Sequence, residues 1–419
     1  MTESINSLLE PFQRFGINLG LTRIKRLLQD LGNPHHAVPI IHVAGTNGKG
    51  SVCAYLASIL KTAGYRVGRY TSPHLVDWTE RINLNGQAIT ATDLIQILQQ
   101  VTETTKLATE TPTQFEIITA AAWLYFAQQK VDLAVMEVGL GGRLDATNVC
   151  DRPLASIIVS LSREHWQRLG PTVADIAREK AGVLKANCPA IIGQLPQDAE
   201  AVVKAKIAEL DCTTTWVEPA KVLKNEGKIR WAKLGDFEYP LPLLGEMQLT
   251  NSAIAIATIQ TLQQQGWQIP DSAIIAGMRN TIWAGRMQWY QWQGRELLID
   301  GAHNPAAAAY LRQYVDSLEQ PVTWLMGMLS TKDHEDVFQA LLRPGDRLFL
   351  VPVPDHSSAD PQESADLALK VCPKLLTCET KPDLFSALAH LNNEYPKAQI
   401  VFCGSLYLIG HFFKQQQDK

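Results

Sequence analysis

The stretch HVAGTNGKGSVCAYLASIL, residues 42–60, carries side chains suited to holding phosphate. A phosphate loop of pattern GxxxxGK[ST] uses glycines to let backbone N–H groups approach an anion, a lysine to neutralise it, and a hydroxyl that reaches a metal. Gly48 and Lys49 are in place, but Val43 stands where the first glycine belongs and Gly50 defers the hydroxyl to Ser51. PIIHV reads as a strand before the loop. Val52, Leu56, Ile59 and Leu60 read as the apolar face of a helix after it, stopped near Gly64.

Three more polar clusters follow expected strands. SPHL offers Ser72 and His74, LAVMEV delivers Glu137 just before GLGGRLDATN, and LSREHW holds Glu164 and His165. Ser, Glu and His are Mg²⁺ ligands, and a triphosphate site requires Mg²⁺. Taken singly, Ser72 reads as a turn residue before Pro73, Glu137 as half of an ion pair and His165 as an exposed loop residue. Their common position at carboxyl ends of strands, where ligands collect in open α/β sheets, favours the ligand reading for Glu137 and His165.

In GPTVADIAREKAGVLK, Pro171 is expected to start a helix whose apolar stripe is Val173, Ile176, Ala177 and Leu184, with Lys180 inside the stripe. Either Lys180 snorkels to solvent, or burial lowers its pKa and leaves a neutral amine able to react with CO₂ to form a carbamate. Further on, Asp300 ends LLID, and Asn304 is expected to cap a helix beginning at Pro305, leaving Asp300 and His303 for ligand work. Lys332 and Asp333 follow WLMGM, and Gly404 and Ser405 follow VFC.

Short β-branched runs alternating with helical periodicity predict an α/β fold of βαβ units on parallel sheet. The expected strands are Pro39–Val43, Arg66–Thr71, Leu133–Val138, Ala155–Ser160, Leu297–Asp300, Val322–Met326, Arg347–Val351 and Gln399–Cys403. Lys221–Tyr239 reads as antiparallel and peripheral, and the Thr- and Glu-rich Thr102–Thr113 as a solvated loop or helix edge. With 419 residues, two domains are expected, divided near 286–296 into residues 1–290 and 291–419.

Hydrophobic residues make up 46% and charged residues 19%, a balance that suits packed cores. Thirty-eight basic against 42 acidic side chains leave a net charge of -4, which points away from nucleic acid and membrane surfaces. Seven scattered Cys without a CxxC pair, an acidic N-terminus unlike a signal peptide and no long apolar run predict a reduced, cytoplasmic protein.

In chain order, INLGLTR (17–23), HVAGTNGKGS, YTSPHL with WTERI, FEIITAAAW, MEVGLGGRLDATN, the LG.T…EKAG segment, the stretch around Asn251, WAGR (283–286), DGAHNP, Lys332-Asp333 and CGSLYL resemble the folylpolyglutamate synthase and dihydrofolate synthase family of the Mur ligase superfamily. Members of that family carry GTNGKGS itself, so the two departures from the standard loop resemble a branch of amide ligases. The resemblance implies an N-terminal Mur-ligase-like ATPase domain with a phosphate loop and a smaller, Rossmann-like C-terminal domain that holds glutamate. Matched residue by residue, it implies ATP phosphate contacts from Asn47, Gly48, Lys49 and Gly50, further ATP contacts from Asn251, Arg286 and Asp300, and His303 beside them. It implies Mg²⁺ ligands Ser72, Glu137 and His165, with scope for two metal sites, and a carbamylated Lys180. Pteroate contacts fall on Leu21, Thr22 and Arg23, on Thr113 to Glu116 with Phe115, and on Leu144, Asp145 and Ala146.

The chain departs from the family in two places. Family GLDH appears as SREH, placing Arg163-Glu164 before His165, and the family HQ pair appears as Met247-Gln248. The implied reaction joins L-glutamate to dihydropteroate, to reduced folates, or to both, through an acyl phosphate, in a monomer with domain closure. Lys49, Lys180, His165 and Arg286 are its expected catalytic set. Another Mur-type amino-acid ligase, a nucleotide-switched binding protein and an inactive ligase are the alternatives.

Overall fold

In a computed structural model the described residues are 4–13, 16, 18–106, 110–226 and 229–417. Ile17 of INLGLTR, positions 107–109 of the Thr-rich segment and positions 227–228 of the peripheral segment lie outside them.

The β-branched runs form strands because they are buried on both faces, as parallel strands covered by helices must be. The first sheet contains β1 (Ile40–Ala44), β2 (Val67–Tyr70), β3 (Ile82–Leu84), β4 (Gln87–Ala88), β5 (Leu133–Glu137), β6 (Ala155–Ile158), β7 (Ala190–Ile192) and β8 (Thr214–Trp216). Its order is β4-β3-β2-β5-β1-β6-β7-β8. Neighbours from β2 to β8 pair parallel, whereas β3 and β4 add an antiparallel edge. One core cluster packs Leu27, Leu98, Ile117 and Trp123 from helices against Ile40 and Met136 of the sheet. Another packs Ala177, Ala181 and Val203 against Ile158 and Ile192.

The peripheral segment forms a separate antiparallel sheet of β9 (Lys221–Glu226), β10 (Ile229–Leu234) and β11 (Phe237–Leu241). Every residue of β9 is exposed, with four polar side chains in KVLKNE and Val222 and Leu223 also open to solvent.

The third sheet contains β12 (Gln288–Trp292), β13 (Arg295–Ile299), β14 (Val322–Met326), β15 (Arg347–Leu350), β16 (Thr377–Thr380) and β17 (Gln399–Cys403), in the order β12-β13-β17-β14-β15-β16. Only β12 is antiparallel, joined to β13 by a hairpin. Trp324, Phe338, Leu311 and Val401 lie in its core cluster.

The chain divides into two compact units, one of residues 1–242 with 248–282 and one of residues 243–247 with 283–419. MQWYQWQGRE thus lies inside the second unit, as the β12–β13 hairpin. Among the described residues no helix is long and apolar enough to cross a membrane. All seven cysteines are free thiols.

Candidate active site

The helix Lys49–Thr62 starts directly at the end of the loop, so its first backbone N–H groups face the loop without intrahelical partners. Gly48 precedes it at φ 85, a left-handed conformation that favours glycine. A Cβ there would lie 2.3 Å from Asn251 Oδ1, so Asn251 packs directly onto the loop. At the other end Gly64 has φ 96, and the Tyr65 and Gly64 amides close a Schellman turn on the Leu60 and Lys61 carbonyls. Val43 is a fully buried residue of β1, so the position where a glycine was expected belongs to the strand.

The loop is stitched to the chain leaving β6. The Thr46 amide donates to Ser160 O at 2.7 Å, the Asn47 amide donates to Ser160 Oγ at 3.1 Å, and Ser160 Oγ donates to Asn47 O at 2.9 Å. The Thr46 hydroxyl accepts from the Ser162 amide at 3.1 Å and donates to Ser162 O at 3.2 Å. Thr46 and Ser160 escaped sequence reasoning because their partners lie more than 100 residues away in the chain.

Lys180 is 5% exposed, so it does not snorkel. Its Nζ donates to Gly45 O at 2.7 Å. Burial, reinforced by nearby Lys49, lowers its pKa from 10.5 to about 7, against the opposing pull of Glu164 and Asp145. Lys49 Nζ donates to Gly45 O and to Thr46 O, both at 3.1 Å. The helix carrying Lys180 runs Val173–Ala181 and is capped by a Thr172–Asp175 capping box, so Thr172 rather than Pro171 starts it. Leu184 lies beyond its end.

Glu137, at the tip of β5, is buried, and its Oε2 accepts the Ser72 amide at 3.3 Å. This bond brings Ser72 and Glu137 together. His165 stands on the β6 exit in a left-handed conformation, with Nε2 3.9 Å from Glu164 Oε1. Among the described residues no three His, Cys, Asp or Glu gather as a metal cluster. The Ser72 hydroxyl and the Glu137 carboxylate nonetheless suit Mg²⁺, which takes few protein oxygen ligands and completes its shell with water and phosphate oxygens. Arg163, the departure preceding His165, lies over the Trp166 ring at 4.8 Å.

The GLGGRLDATN loop is held from within by a buried relay. Asp145 accepts from the Leu140 amide at 2.8 Å, the Thr147 amide at 3.0 Å and the Thr147 hydroxyl at 2.6 Å. Since that hydroxyl donates to Asp145, His42 Nε2 at 2.8 Å donates to it in turn, which makes His42 the Nε2–H tautomer. Burial, with Lys185 adding to it, lowers the His42 pKa to about 3, so the ring is neutral. Burial raises the Asp145 pKa, opposed by these same hydrogen bonds. The loop also docks on the end of the Lys180 helix, where the Arg143 amide donates to Glu179 O at 2.7 Å and the Arg143 guanidinium pairs with Glu179 at 2.8 Å. The Gly20 amide donates to Leu144 O at 3.3 Å, so Leu21–Arg23 begin beside this loop.

Glu116 is only 2% exposed. Its Oε2 accepts the Thr113 amide at 2.7 Å in a capping box and Arg23 Nε at 3.1 Å. Its Oε1 is buried without a hydrogen-bond partner among the described residues. The Phe115 ring lies where a Cβ on Gly139 would fall, 2.3 Å from its tip. Arg23 thus joins Glu116, Gly20 joins Leu144, and Phe115 packs on Gly139, next to the Leu140 amide that Asp145 holds.

In the second unit Asn304 caps the helix Pro305–Asp316, its side chain accepting from the Ala307 amide at 2.9 Å. Asp300 was expected to be open for ligand work. Both its oxygens instead accept backbone amides, from Met287 and Ala302, each at 2.8 Å. Burial raises its pKa, opposed first by Arg286. The Arg286 guanidinium lies against Gly301, 2.3 Å from where a Cβ would sit. His303 bonds through Nδ1 to Gly301 O at 2.7 Å, so Nδ1 carries a proton.

Residues 43–259 match the family model of the Mur ligase middle domain, and residues 287–415 match that of the dihydrofolate synthetase C-terminal domain. A probable dihydrofolate synthetase of Schizosaccharomyces pombe is 33% identical over 414 residues, covering 95% of this chain and 98% of its own length. The folylpolyglutamate synthase of Lacticaseibacillus casei is 33% identical over 426 residues, covering 97% of this chain and 96% of its own. Among solved structures, a bifunctional folylpolyglutamate synthase/dihydrofolate synthase with Mn, AMPPNP and L-glutamate bound superposes with a TM-score of 0.86 at 30% identity, covering 99% of this chain and 98% of that one. A loop in which two lysines converge on one carbonyl therefore stands within a chain that, over nearly its whole length, belongs to the folylpolyglutamate synthase and dihydrofolate synthase family of Mur ligases.

Proposed function

We propose that the protein is an ATP-dependent ligase that joins L-glutamate to a pteridine-bearing carboxylate, taking both dihydropteroate and tetrahydrofolates as acceptors. A carboxylate is a poor electrophile because its oxide does not leave. Attack of the acceptor carboxylate on the γ-phosphorus of ATP forms an acyl phosphate and releases ADP. Attack of the glutamate amine on that carbonyl then gives a tetrahedral intermediate, which expels phosphate as the amide forms.

The observation that carries this reading is the loop of Gly45 to Ser51, with Lys49 and Lys180 converging on the Gly45 carbonyl. Asn47, Gly48, Lys49, Gly50 and Ser51 are assigned to the phosphates and Asn251 to the nucleotide. Arg286, Asp300 and His303, on the second unit, are assigned as further nucleotide groups. Since Asp300 already accepts two backbone amides, its part is to fix the Arg286–Met287 turn and Ala302. Ser72, Glu137 and His165 would hold Mg²⁺, which when bound neutralises the triphosphate and polarises the γ-phosphoryl group. Lys49 and Arg286 add positive charge where negative charge builds, so catalysis is chiefly positioning and neutralisation.

A neutral Lys180 amine adds to CO₂, forming an N–C bond and losing one proton to give a carbamate anion. Its oxygens would be ligands for a second cation, and the lowered pKa supports this reading. Leu21, Thr22, Arg23, Phe115, Glu116, Leu144, Asp145 and Ala146 are assigned to the acceptor. Residues 1–242 with 248–282 are taken as the ATP-binding unit and 243–247 with 283–419 as the glutamate unit, which moves the expected division at 290 to just before the β12–β13 hairpin. The protein is assigned to the cytoplasm as a monomer.

Mass-spectrometric product analysis with ATP, Mg²⁺ and glutamate tests the reading, with dihydropteroate in one reaction and tetrahydrofolate in another. Glutamylated product from both is expected, and product from one alone restricts the acceptor. ATP binding without product from either overturns the assignment.

A further inference from the structure

Gln248 is 1% exposed, one of four polar side chains among the twelve buried residues of the helix Met247–Gln264. Its carboxamide links Ser51 and Tyr55, on the helix that follows the phosphate loop, to Asn251 on its own helix. Its Oε1 accepts from the Tyr55 hydroxyl at 3.3 Å and from Asn251 Nδ2 at 3.1 Å. With two donors on the oxygen, the amide is turned so that Nε2 donates to Ser51 Oγ, also at 3.3 Å. The Ser51 hydroxyl thereby acts as an acceptor towards the protein.

Ser51 is buried, and its own proton meets no acceptor among the described residues. A helical Ser ordinarily folds its hydroxyl back on the carbonyl four residues earlier. Here that carbonyl, of Asn47, accepts from Ser160 Oγ instead. The same geometry orients Asn251. Because its Nδ2 is held by Gln248, its Oδ1 is the atom that presses on Gly48.

We infer that Gln248 is a positioning residue for the nucleotide, holding the Ser51 hydroxyl with its proton turned towards a phosphate oxygen and fixing Asn251 against the loop. This rests on the ATP-dependent reading above.

The test is calorimetric binding of a non-hydrolysable ATP analogue with Mg²⁺, together with steady-state kinetics, for wild type, Gln248→Met, Ser51→Ala and the double variant. Loss of a hydrogen bond to a charged acceptor predicts a weakening of about tenfold or more in each single variant. The double variant is expected to lose less than the product of the two singles, since both act through one hydroxyl. The KM for glutamate is expected to stay within about twofold while that for ATP rises. Gln248→Glu, which keeps the acceptor for Tyr55 and Asn251 but adds a negative charge, is compared with and without Ser51→Ala if Gln248→Met does not fold, so that the added charge is common to both measurements. Analogue binding at wild-type strength in folded Gln248→Met or Gln248→Glu overturns the inference, as does full additivity. A wild-type protein that binds no nucleotide overturns the ligase reading itself, so the two failures are distinguishable.

Discussion

The side-chain nitrogens of Lys49 and Lys180 share one acceptor, the Gly45 carbonyl, at 3.1 and 2.7 Å. Two ammonium groups on one oxygen repel, and burial penalises the charge on Lys180 further. The arrangement therefore eases loss of the proton from Lys180, whose pKa falls to about 7. In the proposed reaction this would divide their work, with Lys49 as the cation for phosphate and Lys180 as the amine that takes up CO₂.

Lys49→Ala is expected to abolish ATP-dependent ligation while leaving the far-ultraviolet circular dichroism unchanged, because the loop's hydrogen bonds to Ser160 and Ser162 do not involve this side chain. Retained turnover in an ADP-release assay would remove Lys49 from the mechanism.

Lys180→Ala is expected to lower activity in a way that short carboxylic acids partly restore by replacing the carbamate oxygens. Stability offers an independent readout. The folded pKa of about 7 lies below the ordinary 10.5, so between these values the unfolded chain binds more protons and stability rises with pH. In CO₂-free buffer the wild-type melting temperature should gain on that of Lys180→Met as pH is raised from 7 to 9. Parallel profiles would contradict the buried neutral amine.

Arg23 and Glu116 form a buried pair whose side chains are 11% and 3% exposed. Arg23→Ala leaves the carboxylate without its counter-ion and is expected to cost about 3 kcal/mol in urea unfolding. A cost near zero with a large rise in acceptor KM would make Arg23 purely a substrate contact.

His42 has a folded pKa of about 3 against an ordinary 6.5, so its contribution is fully present above 6.5 and is lost as pH falls towards 3. At pH 5 this amounts to about 2 kcal/mol relative to pH 7 and above. His42→Gln should begin less stable at pH 7, having disturbed the Thr147 contact, yet lose less between pH 7 and 5. An unchanged acid slope would show that other groups, such as buried His35 with its pKa of about 4, dominate.

The central strands were legible because continuous apolar runs such as IIHV and LAVME have no other stable fate than a two-sided core. The short strands β3, β4, β7 and β8 were not, since two or three residues carry no periodicity, whether buried as in β7 or exposed as in β4. Among site residues, Lys49, Glu137 and Lys180 stood out by type and position. Gln248 and Asn251 share a helix face at i, i+3 spacing, a signal that marks a buried polar pair but not its partner in the loop. Thr46, Ser160 and the His42–Thr147–Asp145 relay depend on contacts between distant segments, which no local pattern encodes. At Asp300 the sequence signals a strand-end carboxylate but not that each of its oxygens also holds a backbone amide, since both roles look alike in sequence.

The hydroxyl stitches from Thr46 and Ser160 bear on the disorder a nucleotide must remove on arrival. Ordering one backbone residue costs about 1–2 kcal/mol of entropy at room temperature. A loop already pinned at residues 46 and 47 by five hydrogen bonds to residues 160 and 162 leaves little of that cost to be met by the ligand. Contacts with phosphate can then appear as affinity rather than being absorbed in freezing the chain.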